Sequence, residues 1–247
     1  MEPVDIVDKC KVIYKPKGAA LEYSHLAINL YHGCKFACRY CYAPAIARKQ
    51  LAEWSADPYP KKDILAKIDR DAQKLAGDPR SILLCFTSDP YQTAESAKLT
   101  RSTLLILEKY NLTATVLTKS GITAERDFDI LKRNGWEFGT SVSCITNRTK
   151  MQYEPHAAGV GSRVSAIRNA HVKGIKTWVS MEPVWDTVEA LRLIESLSNS
   201  VDFWKIGKMN HRKLDINWVK FREDAIRLLD RLGAKYYIKK ELANFRD

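Results

Sequence analysis

Three cysteines crowd into one short stretch, Asn29-Leu-Tyr-His-Gly-Cys34-Lys-Phe-Ala-Cys38-Arg-Tyr-Cys41-Tyr-Ala-Pro44. Gaps of three and two residues let a single loop wrap thiolates around three corners of an iron–sulfur cube, with Gly33 easing the backbone's approach. Three ligands leave one iron open, and an open metal position can take a cofactor or substrate directly. The competing reading is structural zinc, with His32, His25 or Cys10 as fourth ligand. Zinc sites usually draw on two separated ligand pairs, and no second Cys-x-x-Cys or His pair occurs.

The rest of the chain must position that loop. The 247 residues suit one large domain or two small ones, and single α/β barrels reach this length. A hydrophobic content of 45% and a charged content of 28% are ordinary for a folded chain. No apolar run of about eighteen residues occurs, and the first residues lack the apolar core of a secretion signal, so the expectation is a cytoplasmic protein. In that reducing compartment clustered cysteines point to a metal rather than to disulfides. An excess of 40 Lys+Arg over 29 Asp+Glu leaves +11, which attracts polyanions without conferring specificity.

Apolar runs predict strands at Leu26–Leu30, Ile82–Phe86, Leu112–Leu117, Trp136–Val142, Lys176–Ser180, Phe203–Ile206 and Lys235–Ile238. Helical patterns lie between them: from near Ala45, then Lys61–Leu75, Thr100–Tyr110, Glu125–Arg133, Arg163–Val172, Val188–Leu197 and Asn217–Leu232. Glycines at Gly77, Gly135, Gly174 and Gly233 close several of them. Glu53–Pro60 reads as an irregular connection. The alternation predicts an α/β fold, an incomplete (β/α)6-type parallel barrel (a partial TIM barrel) with the cysteine loop after the first strand. One domain is expected over residues 1–247, with a core barrel at about 25–210 and flanking extensions at 1–24 and 211–247. Reactive groups in such barrels gather where strands end.

Cys-x3-Cys-x2-Cys with an aromatic before the last cysteine resembles the radical S-adenosylmethionine superfamily. Five blocks resemble its spore photoproduct lyase-like, or DNA repair photolyase, branch: Gly33-Cys-Lys-Phe-Ala-Cys-Arg-Tyr-Cys-Tyr-Ala43, Phe86-Thr-Ser-Asp-Pro-Tyr-Gln92, Leu99-Thr-Arg101, Leu117-Thr-Lys-Ser-Gly121 and Tyr153-Glu-Pro155. They span about Ile28 to Val184. The resemblance implies a 4Fe–4S cluster on Cys34, Cys38 and Cys41, with S-adenosylmethionine chelated at the open iron by its amino and carboxylate groups. It also implies an electron donor of flavodoxin or ferredoxin type. Reductive cleavage would give methionine and a 5′-deoxyadenosyl radical that takes hydrogen from substrate.

By motif, Tyr40 is expected close to the cofactor, Thr87, Ser88 and Asp89 at its amino end, and Lys119 on its carboxylate. Ser141 and Ser143, alternating on one strand face, are expected near the carboxylate and ribose hydroxyls. Arg163 is a further carboxylate candidate through its bidentate fork, and Glu182 could meet substrate or adenosine, or cap a turn. In the lyase a cysteine directly precedes Thr-Ser-Asp-Pro and returns hydrogen to the product; here Phe86 stands in that place and Cys85 one residue earlier. A one-residue shift along a strand predicts Cys85 turned away, against a helix. Tyr42 and Cys85 are nonetheless the catalytic candidates, Tyr42 as a radical relay beside the last cluster cysteine.

The segment Asp202-Phe-Trp-Lys-Ile-Gly-Lys-Met-Asn-His-Arg-Lys213 is basic and aromatic, suited to phosphates and stacked bases or simply to a strand end and a solvated loop. The five histidines have no metal-pair spacing, Trp185 reads as core, and no phosphate loop or nucleophile elbow occurs. Three functions follow as expectations: radical chemistry on a nucleic-acid base or nucleotide, the same chemistry on a peptide or small metabolite, and a zinc-stabilised nucleic-acid-binding protein.

Overall fold

The structure, a computed structural model, describes residues 5–210 and 212–246; His211 lies outside the described residues. In chain order the strands are β1 (Ile13–Tyr14), β2 (Leu26–Ile28), β3 (Tyr31–His32), β4 (Tyr59–Pro60), β5 (Ser81–Leu84), β6 (Thr113–Thr118), β7 (Glu137–Ser141), β8 (Lys176–Met181), β9 (Phe203–Ile206) and β10 (Tyr236–Ile238). The helices are α1 (Ala43–Ile46), α2 (Leu51–Ala56), α3 (Ile64–Lys74), α4 (Ala94–Lys109), α5 (Phe128–Asn134), α6 (Asn147–Tyr153), α7 (Val160–Val172), α8 (Thr187–Leu197), α9 (Trp218–Arg231) and α10 (Lys240–Ala243). Eight strands form one sheet in the order β1-β2-β5-β6-β7-β8-β9-β10, parallel throughout except for the antiparallel pair β1 and β2. This is the expected mostly parallel, partial-barrel α/β arrangement. No helix among the described residues is long and apolar enough to cross a membrane.

Strand residues alternate between two layers, as a period of two requires. Ile28, Ile82, Val116, Phe138, Val179 and Trp204 are buried under the helices, whereas Ala27, Leu83 and Trp178 form a smaller inner cluster with Tyr23, Phe86 and Leu117. Burial on both faces explains why these strands read as near-continuous apolar runs. The glycines Gly77, Gly135, Gly174 and Gly233 all take the positive φ expected where a helix gives way to the next strand.

Two expectations about elements are corrected. Helix α4 begins six residues before Thr100, because Thr93 and Ser96 form a reciprocal capping box. The stretch Glu53–Pro60 is largely structured: α2 runs to Ala56 with Trp54 buried, and β4 pairs with β3.

The flanking segments are built into the sheet. Asp71 on α3 accepts the backbone N–H groups of Lys11, Val12 and Ile13 at 2.7, 2.7 and 3.2 Å, which fixes β1. The chain then reaches toward the opposite edge. Lys205 on β9 donates to the carbonyls of Glu22 and Tyr23 at 2.8 and 3.0 Å, and Glu22 accepts from Tyr237 Oη and Lys240 N–H at 2.9 and 2.8 Å. Residues from both ends of the chain thus bridge edge strands that share no backbone pairing.

Candidate active site

The cysteine loop between β3 and α1 is held by backbone contacts from several elements. Cys34 N–H donates to the Trp54 carbonyl, Arg39 N–H to the Tyr153 carbonyl, and Lys35 N–H to Gln92 Oε1, at 3.3, 2.8 and 2.6 Å. Gly33 has φ 90°, and a Cβ there would stand 2.6 Å from the Trp54 carbonyl oxygen. No side chain fits where the loop passes α2.

Cys34, Cys38 and Cys41 line one cavity of about 510 Å³. Burial pushes the Cys34 thiol up to about 12 and raises Cys38 and Cys41 as well, so a metal must displace their protons before they act as thiolates. Among the described residues no three His, Cys, Asp or Glu side chains converge on one ion-sized point. Neither His25, His32 nor Cys10 lines the cavity.

The remaining expected site residues line the same cavity, except Ser143 and Arg163. Thr87, Ser88 and Asp89 follow β5. Asn29 shapes that turn, accepting from Phe86 N–H and Thr87 N–H at 2.8 and 3.0 Å while donating to Tyr14 Oη at 2.7 Å. Ser88 Oγ is buried without a hydrogen-bond partner and is thus open to a ligand. Asp89 is not: it accepts from Tyr91 N–H, Thr118 Oγ1, Lys119 N–H and Ser120 Oγ, and so splices the β5 and β6 turns together. Burial nevertheless raises its carboxyl above the ordinary value. For Lys119 burial opposes the ammonium, but Cys38, once a thiolate, and Glu154 outweigh it and raise the lysine above its ordinary value.

Two of the expected cofactor contacts, Ser143 and Arg163, do not line this cavity. Strand β7 ends at Ser141, so alternation does not carry to Ser143, whose hydroxyl donates to the Pro183 carbonyl at 2.7 Å. Arg163 is buried and faces the protein: Nη1 lies 2.5 Å from Glu154 Oε2 and 2.9 Å from the Ser141 carbonyl, and Nε donates to the Ala158 carbonyl at 2.9 Å. Its fork found a carboxylate, but one belonging to the chain.

Cys85, just past the end of β5 at Leu84, is buried in the same core cluster as Ile82 and Leu84, while Phe86 packs on the inner cluster; both also line the cavity. Burial pushes the Cys85 thiol up to about 12. Tyr42, partly exposed, also lines the cavity and donates to the Phe86 carbonyl at 3.1 Å.

Several lining residues were not singled out from the sequence. Tyr23, between β1 and β2, donates to Glu182 Oε2 at 2.6 Å and has Ser180 Oγ at 2.9 Å. Lys239 pairs with the same Glu182 oxygen, and Asn210 Nδ2 donates to its other oxygen at 3.2 Å. Glu182 caps no helix, and Gly207 gives it room: a Cβ at Gly207 would stand 2.6 Å from Glu182 Oε1. Lys17, Lys208 and Met209 complete this part of the wall. Of the basic segment from Asp202, Phe203–Ile206 form β9, and Lys208, Met209 and Asn210 line the cavity.

The Radical SAM superfamily profile matches residues 28–191, the stretch that carries the cysteine loop and the strands from β3 to β8. The chain belongs to the radical SAM superfamily. Its cofactors are therefore a 4Fe–4S cluster and S-adenosylmethionine, and its chemistry needs a reductant. An uncharacterized protein of Methanocaldococcus jannaschii is 28% identical over 160 residues, a match that spans 64% of this chain and 59% of that relative. A spore photoproduct lyase variant with bound AdoMet and dinucleoside spore photoproduct superposes with TM-score 0.68 at 15% identity, covering 92% of this chain and 78% of that one. SuiB of Streptococcus suis bound to S-adenosylmethionine gives TM-score 0.64 at 10% identity, covering 86% and 46%. At these identities the likeness to solved structures is one of fold.

Proposed function

We propose that this radical SAM enzyme, acting as a single domain, abstracts hydrogen from a nucleic-acid base or nucleotide, in repair or modification. In this reading Cys34, Cys38 and Cys41 hold the cluster. Tyr40, Thr87, Ser88, Lys119 and Ser141 line the S-adenosylmethionine site, with Asp89 shaping it from behind. The bound pair of cofactors supplies a 5′-deoxyadenosyl radical. Cys85, a protonated thiol in the same cavity, returns hydrogen to the product, and Tyr42 stands beside it as a relay.

The observation that carries the substrate class is the composition of the shared cavity. The cysteines face a chamber that also presents Tyr14, Tyr23 and Phe86, together with the cations Lys17 and Lys208. Aromatic faces suit a base and ammonium groups suit phosphate. Glu182, held by Tyr23 and Lys239, offers a fixed acceptor toward a base edge.

The deciding experiment is deuterium transfer from labelled nucleotides and oligonucleotides into 5′-deoxyadenosine, with the anaerobically reconstituted enzyme and dithionite. Transfer from a nucleotide substrate supports the reading. Transfer only from a peptide or small metabolite overturns it in favour of the second reading, which draws support from the fold shared with SuiB, also solved bound to precursor peptide SuiA.

A further inference from the structure

The cavity wall is shared between two sets of strand ends. The cysteine loop and the residues expected around S-adenosylmethionine lie at the ends of β3, β5, β6 and β7, whereas Glu182, Asn210 and Lys239 stand in the segments that follow β8, β9 and β10. Strand ends are where such folds place ligands. Asn210 and Lys239 lie beyond residues 28–191, the stretch matched by the superfamily profile, so they belong to this chain rather than to the shared region.

These three side chains order one another. Glu182 Oε2 accepts from Tyr23 Oη at 2.6 Å and pairs with Lys239, while Glu182 Oε1 accepts from Asn210 Nδ2 at 3.2 Å. A carboxylate only accepts, so the Asn210 amide turns its carbonyl away from Glu182, and that Oδ1 is buried without a hydrogen-bond partner among the described residues. Lys239, 5% exposed, carries three N–H groups and uses one, on Glu182. The ion pair cancels its own charge, and what it leaves on this stretch of wall is hydrogen-bonding capacity. In order, that is a donor on Lys239, an acceptor on Glu182 Oε1 and an acceptor on Asn210 Oδ1.

We propose that this part of the cavity reads guanine. The pairing edge of guanine presents a carbonyl oxygen, a ring N–H and an exocyclic amine side by side, the complement of donor, acceptor, acceptor. Thymine and uracil set a second carbonyl against Asn210, and adenine and cytosine set a ring nitrogen acceptor against Glu182. A buried polar group left unpaired costs more than a made bond contributes, so discrimination follows from the mismatch. No bond is made or broken at these residues; they hold the base in the chamber that the cysteines face. This inference rests on the nucleotide reading and narrows it to one base.

The test measures binding of single-stranded oligonucleotides that differ at one central base, and of the matching nucleoside 5′-monophosphates, to the reconstituted enzyme with S-adenosylmethionine present. Guanine should bind about tenfold or more tighter than adenine, cytosine or thymine. Hypoxanthine, which lacks the exocyclic amine, should fall in between. Asn210→Ala should remove the gap between guanine and hypoxanthine. In Glu182→Gln the new amide must turn its carbonyl to Tyr23 and Lys239, which sets its NH2 against the ring N–H of the base. That variant should weaken guanine binding about tenfold or more. Retained cluster absorbance checks that both variants fold. Equal binding of all bases, preference for another base, or a guanine preference that survives both variants overturns the proposal. A parallel loss of S-adenosylmethionine affinity in Glu182→Gln also overturns it, by assigning the carboxylate to the cofactor's adenine. Deuterium transfer separates this inference from the reading beneath it: transfer only from nucleotides without guanine keeps that reading and sinks this one, and transfer from no nucleotide sinks both.

Discussion

Tyr40 and Glu154 stand 114 positions apart in the chain, yet the Tyr40 phenol donates to Glu154 Oε1. The other carboxylate oxygen faces Arg163, which is anchored to β7 through the Ser141 carbonyl. The cysteine loop is thereby tied, by a buried ionic bridge, to the strand end that lines the cofactor cavity. Tyr40→Phe removes one hydrogen bond to a charged acceptor, worth ~1.5–3 kcal/mol. It should leave iron content intact while speeding loss of the cluster in air, followed by the decay of its visible absorbance. Glu154→Ala strands a buried guanidinium and should cost about 3–5 kcal/mol in chemical denaturation.

Gly139 on β7 exists for Trp178 on β8. A Cβ at Gly139 would stand 2.2 Å from Trp178 Cε2, and the indole has no room to withdraw because it fills the inner cluster with Ala27 and Leu83. Gly139→Ala should destabilise the fold by about 1–3 kcal/mol through overpacking. Gly161→Ala is the contrast: nothing lies within 4 Å of its added Cβ in α7, so the helix should gain up to about 1 kcal/mol. Denaturation midpoints of the two variants should move in opposite directions.

The strands and the cysteine loop were legible because their signals are local. Apolar runs such as Lys176–Met181 carry their own period, and three cysteines within eight residues need no tertiary contact to be noticed. Local rules stop where strands end: Cys85 and Ser143 lie one and two residues past the last residue of a strand, where alternation no longer assigns a face. The Arg163 fork meets the carboxylate of Glu154, and nothing in the sequence ties Glu154 to Tyr40. Tyr23, Lys208 and Lys239 come from opposite ends of the chain, and only the closing of the sheet brings them to one cavity.

Cys85→Ala tests the hydrogen-return role without touching the cysteine loop. If the Cys85 thiol returns hydrogen to the product, the variant should still form 5′-deoxyadenosine with dithionite. Finished product per cofactor cleaved should drop, and side products should accumulate in the chromatogram. An unchanged product ratio would move the role to Tyr42, and Tyr42→Phe would then show the loss instead.

Lys205 gives the fold a pH dependence whose sign is set by burial. Its ammonium sits among the Tyr23 and Trp178 rings, 5.0 and 5.2 Å from their centroids, and beneath the carbonyls of Glu22 and Tyr23. Burial lowers its pKa to about 8, with Glu137 opposing that shift and Lys239 adding to it. Below pH 8 the lysine is charged in both folded and unfolded chains, and the folded state carries the full penalty. Between about 8 and the ordinary lysine value of ~10.4 the folded chain releases the proton while the unfolded chain keeps it. Stability therefore rises with pH across that window. The gain should be on the order of 1–2 kcal/mol, less than the bare shift implies because the side chain is partly solvated. Urea denaturation at pH 7.5 and 9.5 should show this rise in the parent protein and a flatter profile in Lys205→Met. An equal rise in both proteins would place the titrating group elsewhere.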